Sequence, residues 1–106
     1  MGNFGANFRR ADLRKAKFRG ADLRGVTFES ADLRAADLRE TDCRGADFGK
    51  ADLSWAKLSK ANLVGASYNN DTKFPAGFRP DEASMVTRMG RGNIRGSSAT
   101  GRRTPR

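Results

Sequence analysis

Ala31-Asp32-Leu33-Arg34-Ala35-Ala36-Asp37-Leu38-Arg39-Glu40 contains two copies of one five-residue phrase: a small residue, a polar one, a large apolar one, then two others. The phrase runs thirteen times from Ala6 to Asn70, and alanine opens eleven of the thirteen units, Val26 and Thr41 being the exceptions. A period of five fits neither the 3.6 of a helix nor the 2.0 of a flat strand, so the chain must turn at each unit. If every unit sends one large and one small residue inward, the path closes around a narrow interior as a stacked coil. Read in steps of twenty, the large position gives Phe8, Phe28, Phe48 and Tyr68, then Leu13, Leu33 and Leu53. The other two series are Phe18, Leu38, Leu58 and Leu23, Cys43, Leu63. Like residues align this way when the same side of successive coils lies in register, about 4.8 Å apart. Four units per coil follow. Gly25, Gly45 and Gly65 recur at the same step and predict one corner whose backbone glycine tolerates best.

The phrase Ala-Asp-Leu-Arg-x, as at Ala11-Asp12-Leu13-Arg14-Lys15 and Ala31-Asp32-Leu33-Arg34-Ala35, resembles the pentapeptide-repeat family. The resemblance covers residues 6–70 and implies an all-β fold, a right-handed quadrilateral β-helix of about three coils. It also places the large residue at the centre of each face and the alanine within the wall. The later stretch Tyr68-Asn69-Asn70-Asp71-Thr72-Lys73-Phe74-Pro75-Ala76-Gly77-Phe78-Arg79-Pro80 is similar to the closing segment of many bacterial, notably cyanobacterial, members.

One unit departs twice from the pattern. Thr41 replaces the small alanine and Cys43 replaces Leu or Phe, which together roughly conserve volume. A single Cys in a chain without His offers no tetrahedral metal set and no internal disulfide. We therefore read Cys43 as a small core residue rather than a redox or metal thiol.

Four segments are expected. Residues 1–5 form an N-terminal cap, because Phe4 lies one position out of phase and would break register to fold over the first coil. Residues 6–70 form the β-helix. Residues 71–86 form a C-terminal cap or lid in which Phe74 and Phe78 plug the last coil. Within it Pro80-Asp81-Glu82 reads as the start of a short helix running to about Met89. Residues 87–106 carry Arg88, Arg91, Arg95, Arg102, Arg103 and Arg106 without an acid, and read as a disordered basic tail.

The formal net charge is +9. Some members of the family resist gyrase inhibition by imitating the negative charge of duplex DNA, which needs an acidic surface; that role does not carry over here. Charges recur too often for a signal peptide or transmembrane segment, so a cytoplasmic location is expected. The residue after each central apolar position is Arg at several early units, stacking Arg14 over Arg34, Arg19 over Arg39 and Arg24 over Arg44. Two readings of these columns stand: a solvated wall of alternating acid and base, or a basic band that binds a partner. Trp55 falls at the last position of its unit, where side chains point outward; it is either a contact anchor or packed over a corner.

No catalytic, cofactor-binding or metal constellation emerges. There is no His to act as base, no hydroxyl or thiol with a visible base partner, and no phosphate-binding loop. The expected function is a non-catalytic scaffold that binds a protein partner through walls, ends or tail, with an end-to-end homodimer left open. The alternative is binding of nucleic acid or an anionic surface by the Arg columns and the tail.

Overall fold

The computed structural model describes residues 2–88. The chain winds through them as a four-sided coil. Among these residues eleven parallel bridges link the second position of each unit to its counterpart in the next coil. Gly2, Asp22, Asp42 and Asn62 form one face; Asn7, Thr27, Asp47 and Ser67 the next; Asp12, Asp32 and Asp52 the third; Lys17, Asp37 and Lys57 the fourth. Partners stand twenty residues apart, as the columns of like residues predict. At the bridges beyond Gly2–Asp22 two bonds close, for example Leu13 N–H to Asp32 O at 2.8 Å and Asp32 N–H to Ala11 O at 2.9 Å.

A turn closes each corner. The N–H that opens one unit donates to the carbonyl of the preceding central residue, as Ala16 N–H does to Leu13 O at 3.0 Å. The residue at every fifth position from Gly5 to Gly65 has a left-handed backbone, with φ between 59° and 77°. Such a turn requires positive φ at its third residue. The glycine column is therefore not a special corner. Arg10, Lys15, Ser30, Ala35, Glu40, Lys50, Trp55 and Lys60 adopt the same conformation at the others, and the N–H groups of Arg10, Lys15, Ser30, Ala35 and Glu40 donate to carbonyls of the next coil.

The core is a stack of central residues. Leu23, Phe28, Leu33, Leu38, Cys43 and Phe48 are fully buried, with Ala31, Ala36, Ala46 and Ala51 between them. Phe28 stacks on Phe48 with centroids 5.1 Å apart and on Phe8 at 5.6 Å. Phe8, Leu13 and Phe18 are half-buried, since no described coil lies beyond them.

Both ends differ from expectation. Of the expected cap Met1–Gly5, the described residues Gly2–Gly5 do not break register: Gly2 bridges to Asp22 within the ladder, and Gly5 N–H donates to Arg24 O. Phe4 consequently lies on the outer wall rather than over the coil end. It is 70% exposed, with the Arg24 guanidinium 5.3 Å from its ring centre. At the other end a single extra residue enters the Asn69–Thr72 turn, so that Asp52 pairs with Lys73, a step of twenty-one. Phe74 then packs edge-on against Tyr68 at 5.5 Å and stacks on Phe78 at 5.0 Å, both against the core.

The helix expected from Pro80 does not form. Residues 80–84 make only turns, and the chain returns to the ladder as β2 (Val86–Thr87), parallel to β1 (Ser67–Tyr68). The acidic start is present, but the carbonyls of Ala66 and Tyr68 accept the N–H groups of Val86 and Arg88. A continued helix would have left that edge open. Thr87 and Arg88 are thus part of the ordered coil, not of the expected tail; the rest of that tail lies outside the described residues.

Candidate functional site

The second position of the phrase is polar for a reason found at the corner. The N–H of the fourth residue points along no ladder bond, and the side chain two residues earlier accepts it. Asp12 takes Arg14 N–H, Asp47 takes Gly49 N–H, Asp52 takes Ser54 N–H and Asn62 takes Val64 N–H, at 2.9–3.3 Å. Thr27 does the same for Glu29 at 3.3 Å. This local bond is one that Asp, Asn and Thr make well.

Where the fourth residue is Arg, its guanidinium folds back onto the same carboxylate. Arg14, Arg24, Arg34, Arg39 and Arg44 each make a two-pronged contact with Asp12, Asp22, Asp32, Asp37 and Asp42, at 2.6–2.8 Å. Arg14 and Arg24 also approach the Asp of the next coil, Asp32 and Asp42, at 3.9 Å. Arg19 has Lys17 at the second position instead. It reaches Glu40 at 3.4 Å, and Arg9 pairs with Glu29. The Arg columns therefore stand where the sequence stacks them, but each arginine is matched by an acid, on its own coil or, for Arg19, on the next.

The pairing holds the carboxylates ionised. The Arg14 and Arg24 hydrogen bonds bring Asp12 and Asp22 down to about 2, and the corresponding bonds lower Asp32, Asp37 and Asp42. A carboxylate depressed in the folded state contributes stability above its unfolded value, near 4, which is lost as pH falls through the folded value. We expect the melting temperature to be flat from neutral pH to about 5 and to fall between about 4 and 2. Replacing Asp12, Asp22, Asp32 and Asp42 together by Asn keeps an acceptor for the corner N–H and removes the ion pair. Scanning calorimetry of that variant should show a shallower acid slope; an unchanged slope would place the acid transition elsewhere.

Cys43 is fully buried beside Thr41, whose hydroxyl donates to Leu38 O at 2.7 Å and lies 3.3 Å from Cys43 Sγ. Burial pushes the thiol up to about 11, against the pull of the Thr41 contact. Only the thiolate reacts readily, so alkylation at neutral pH should be slow in the folded protein and fast in denaturant. Rapid labelling of the native state would contradict this placement. Among the described residues no group of three or more His, Cys, Asp or Glu side chains is arranged to hold a metal.

Trp55 is 78% exposed, so it packs neither across its corner nor under the closing segment. Arg88 serves as a clamp: its backbone N–H donates to Tyr68 O at 2.6 Å and its side chain to Asp47 at 2.8 Å. Asp47 also accepts from Ser67 at 3.3 Å and so ties the last two coils together. Sequence reasoning misses this role of Asp47, because no signal marks it apart from the other acids. Arg91, Arg95, Arg102, Arg103 and Arg106 lie outside the described residues.

A family model of pentapeptide repeats matches residues 5–29 and 28–65 in eight copies. No curated protein matches the chain. A pentapeptide repeat protein from the thylakoid lumen of Arabidopsis thaliana is 36% identical with a TM-score of 0.70, over 77% of this chain and 64% of its own. The chain thus spans less than two thirds of that protein. Another from Nostoc, strain PCC 7120, is 30% identical with a TM-score of 0.56, over 77% of this chain and 84% of that one. HetL from the same cyanobacterium, a protein involved in heterocyst differentiation regulation, shares the fold at 22% identity and a TM-score of 0.51, over 88% of this chain and 55% of HetL. With thirteen phrases closed into a four-sided ladder, the chain belongs to the pentapeptide-repeat family, and its fold is that family's right-handed quadrilateral β-helix.

Proposed function

We propose that this chain is a non-catalytic interaction module, a rigid frame whose surface docks a protein partner. Trp55 carries the reading. A large apolar side chain held almost wholly in water, on a backbone that disfavours any side chain, adds nothing to the core. Exposed tryptophans are common anchors of protein contacts. The polar residues, by contrast, serve the frame: acids satisfy corner N–H groups and arginines fork onto those acids.

Affinity capture with the tagged full chain, and with a version ending at Arg88 so that β2 and its clamp are kept, tests the proposal; it expects a protein bound saturably by the first. Failure to capture any saturable partner from cells that make the protein would remove it. Loss of capture only in the truncated version would move the contact to the tail.

A second reading, binding of nucleic acid or an anionic surface, leans on the tail arginines, because the column arginines are matched by acids. Binding to mixed DNA and RNA should then weaken steeply with salt. Among the described residues no helix is long and apolar enough to cross a membrane. A cytoplasmic location belongs to the proposal; residence in the thylakoid lumen is a property of the Arabidopsis relative.

A further inference from the structure

Trp55 does not stand alone on its corner. Its column below holds Ala35 and then Lys15, and the adjoining face carries Lys17 and Lys57 on either side of Asp37. Lys60 occupies the next corner at the height of Trp55. Lys15, Lys17, Lys57 and Lys60 are all exposed, and among the described residues none of them forms an ion pair. The nearby acids are engaged elsewhere. Asp37 is held by both prongs of Arg39, and Asp52 accepts the N–H and hydroxyl of Ser54. This edge of the coil therefore joins one aromatic anchor to uncompensated positive charge, whereas the arginine columns are neutralised in place.

We propose that the Trp55 edge is the docking surface, and that its occupant is an acidic segment of a protein partner. The indole enters an apolar recess of that partner, while carboxylates face Lys57 and Lys60. The inference rests on the interaction-module reading and adds the place and the chemistry of the contact. Complementary charge around a central aromatic is how such surfaces gain rate and specificity. Single-stranded nucleic acid fits less well. It asks for successive stacking platforms, and this edge has one ring; the arginines that would fork a phosphate already fork onto aspartates. The chain's own residues 89–106 contain no acid and do not complement the edge.

Trp55 is the only tryptophan, so its fluorescence reports this edge alone. The full chain is used to select binders from a displayed library of random peptides. Selected peptides, remade synthetically, and a mixed-sequence single-stranded DNA are then titrated against the protein. The expected winners are acidic, saturate the Trp55 emission shift, and lose about thirtyfold or more in affinity by calorimetry with Trp55→Gly. Lys57→Glu with Lys60→Glu should weaken them further at low salt than at high salt.

Trp55→Gly should melt no lower than the parent, because glycine already occupies this corner conformation at Gly45 and Gly65. Loss of binding then cannot be assigned to unfolding. No enriched peptide, winners without acid, equal affinity for Trp55→Gly, or tighter binding of the DNA at Trp55 would each overturn the inference. A partner captured from cells equally well by Trp55→Gly would overturn it while leaving the interaction-module reading intact.

Discussion

Phe48→Ala is expected to cost about 3–5 kcal/mol, the usual loss when a buried aromatic is truncated. Phe48 is fully buried and stacked at 5.1 Å on Phe28, which itself stacks on Phe8, so the change empties the middle of a column. Domains of this size hold about 5–15 kcal/mol in total, and the variant should lie near its unfolding midpoint in mild denaturant. Phe48→Leu gives the contrast. Leucine fills the equivalent position in the other columns, at Leu33, Leu38 and Leu23, and should cost no more than about 1.5 kcal/mol. Urea unfolding followed by circular dichroism checks both; equal losses would mean that the column is valued for its ring stacking rather than its volume, or that the coil collapses around the gap.

The second large effect concerns the irregular unit. Cys43→Leu restores the common residue but presses a larger side chain against Thr41, which is 2% exposed and has no room to give way. Overpacking of this kind should cost about 1–3 kcal/mol. Thr41→Ala removes the hydroxyl bonded to Leu38 O and should cost about 1 kcal/mol. The double variant recreates the Ala-Asp-Leu phrase. It should be more stable than the sum of the two losses predicts, with a coupling of about 1 kcal/mol or more. Additive losses would show that the two residues differ from the pattern independently.

The coil itself is legible in the order of the amino acids. Bridges such as Asp12 to Asp32 and Asp37 to Lys57 fall at the step of twenty that the aromatic and leucine columns announce. What the order hides, it hides for physical reasons. Gly25, Gly45 and Gly65 mark one corner because glycine is the only residue that advertises left-handed backbone; Arg10 and Ala35 adopt it silently, constrained by neighbouring coils. The Asp and Arg columns are visible as columns, whereas the fork joins residues two apart on one face, a partnership that stacking by twenty does not display. The helix expected at Pro80 has the right opening residues, but local preference yields to the carbonyls of Ala66 and Tyr68. Trp55 falls at an outward corner by its place in the phrase; only the folded chain shows that no described residue covers it.

The extra residue in the Asn69–Thr72 turn acts as a dislocation in a one-dimensional crystal. Up to Ser67 each coil is a template for the next, and nothing in the period limits the number of layers. Lys73 sits a step of twenty-one above Asp52, while Val86 sits nineteen above Ser67. The final layer is thus out of step with itself, and its faces no longer offer the same register to a further coil. The turn absorbs the inserted residue without reversing the faces, since Lys73 pairs with Asp52 in the ladder and Phe74 still packs inward; what changes is the spacing between faces, and exposed ladder edges otherwise invite growth by addition of like chains. One inserted residue thereby breaks the period at the last described layer.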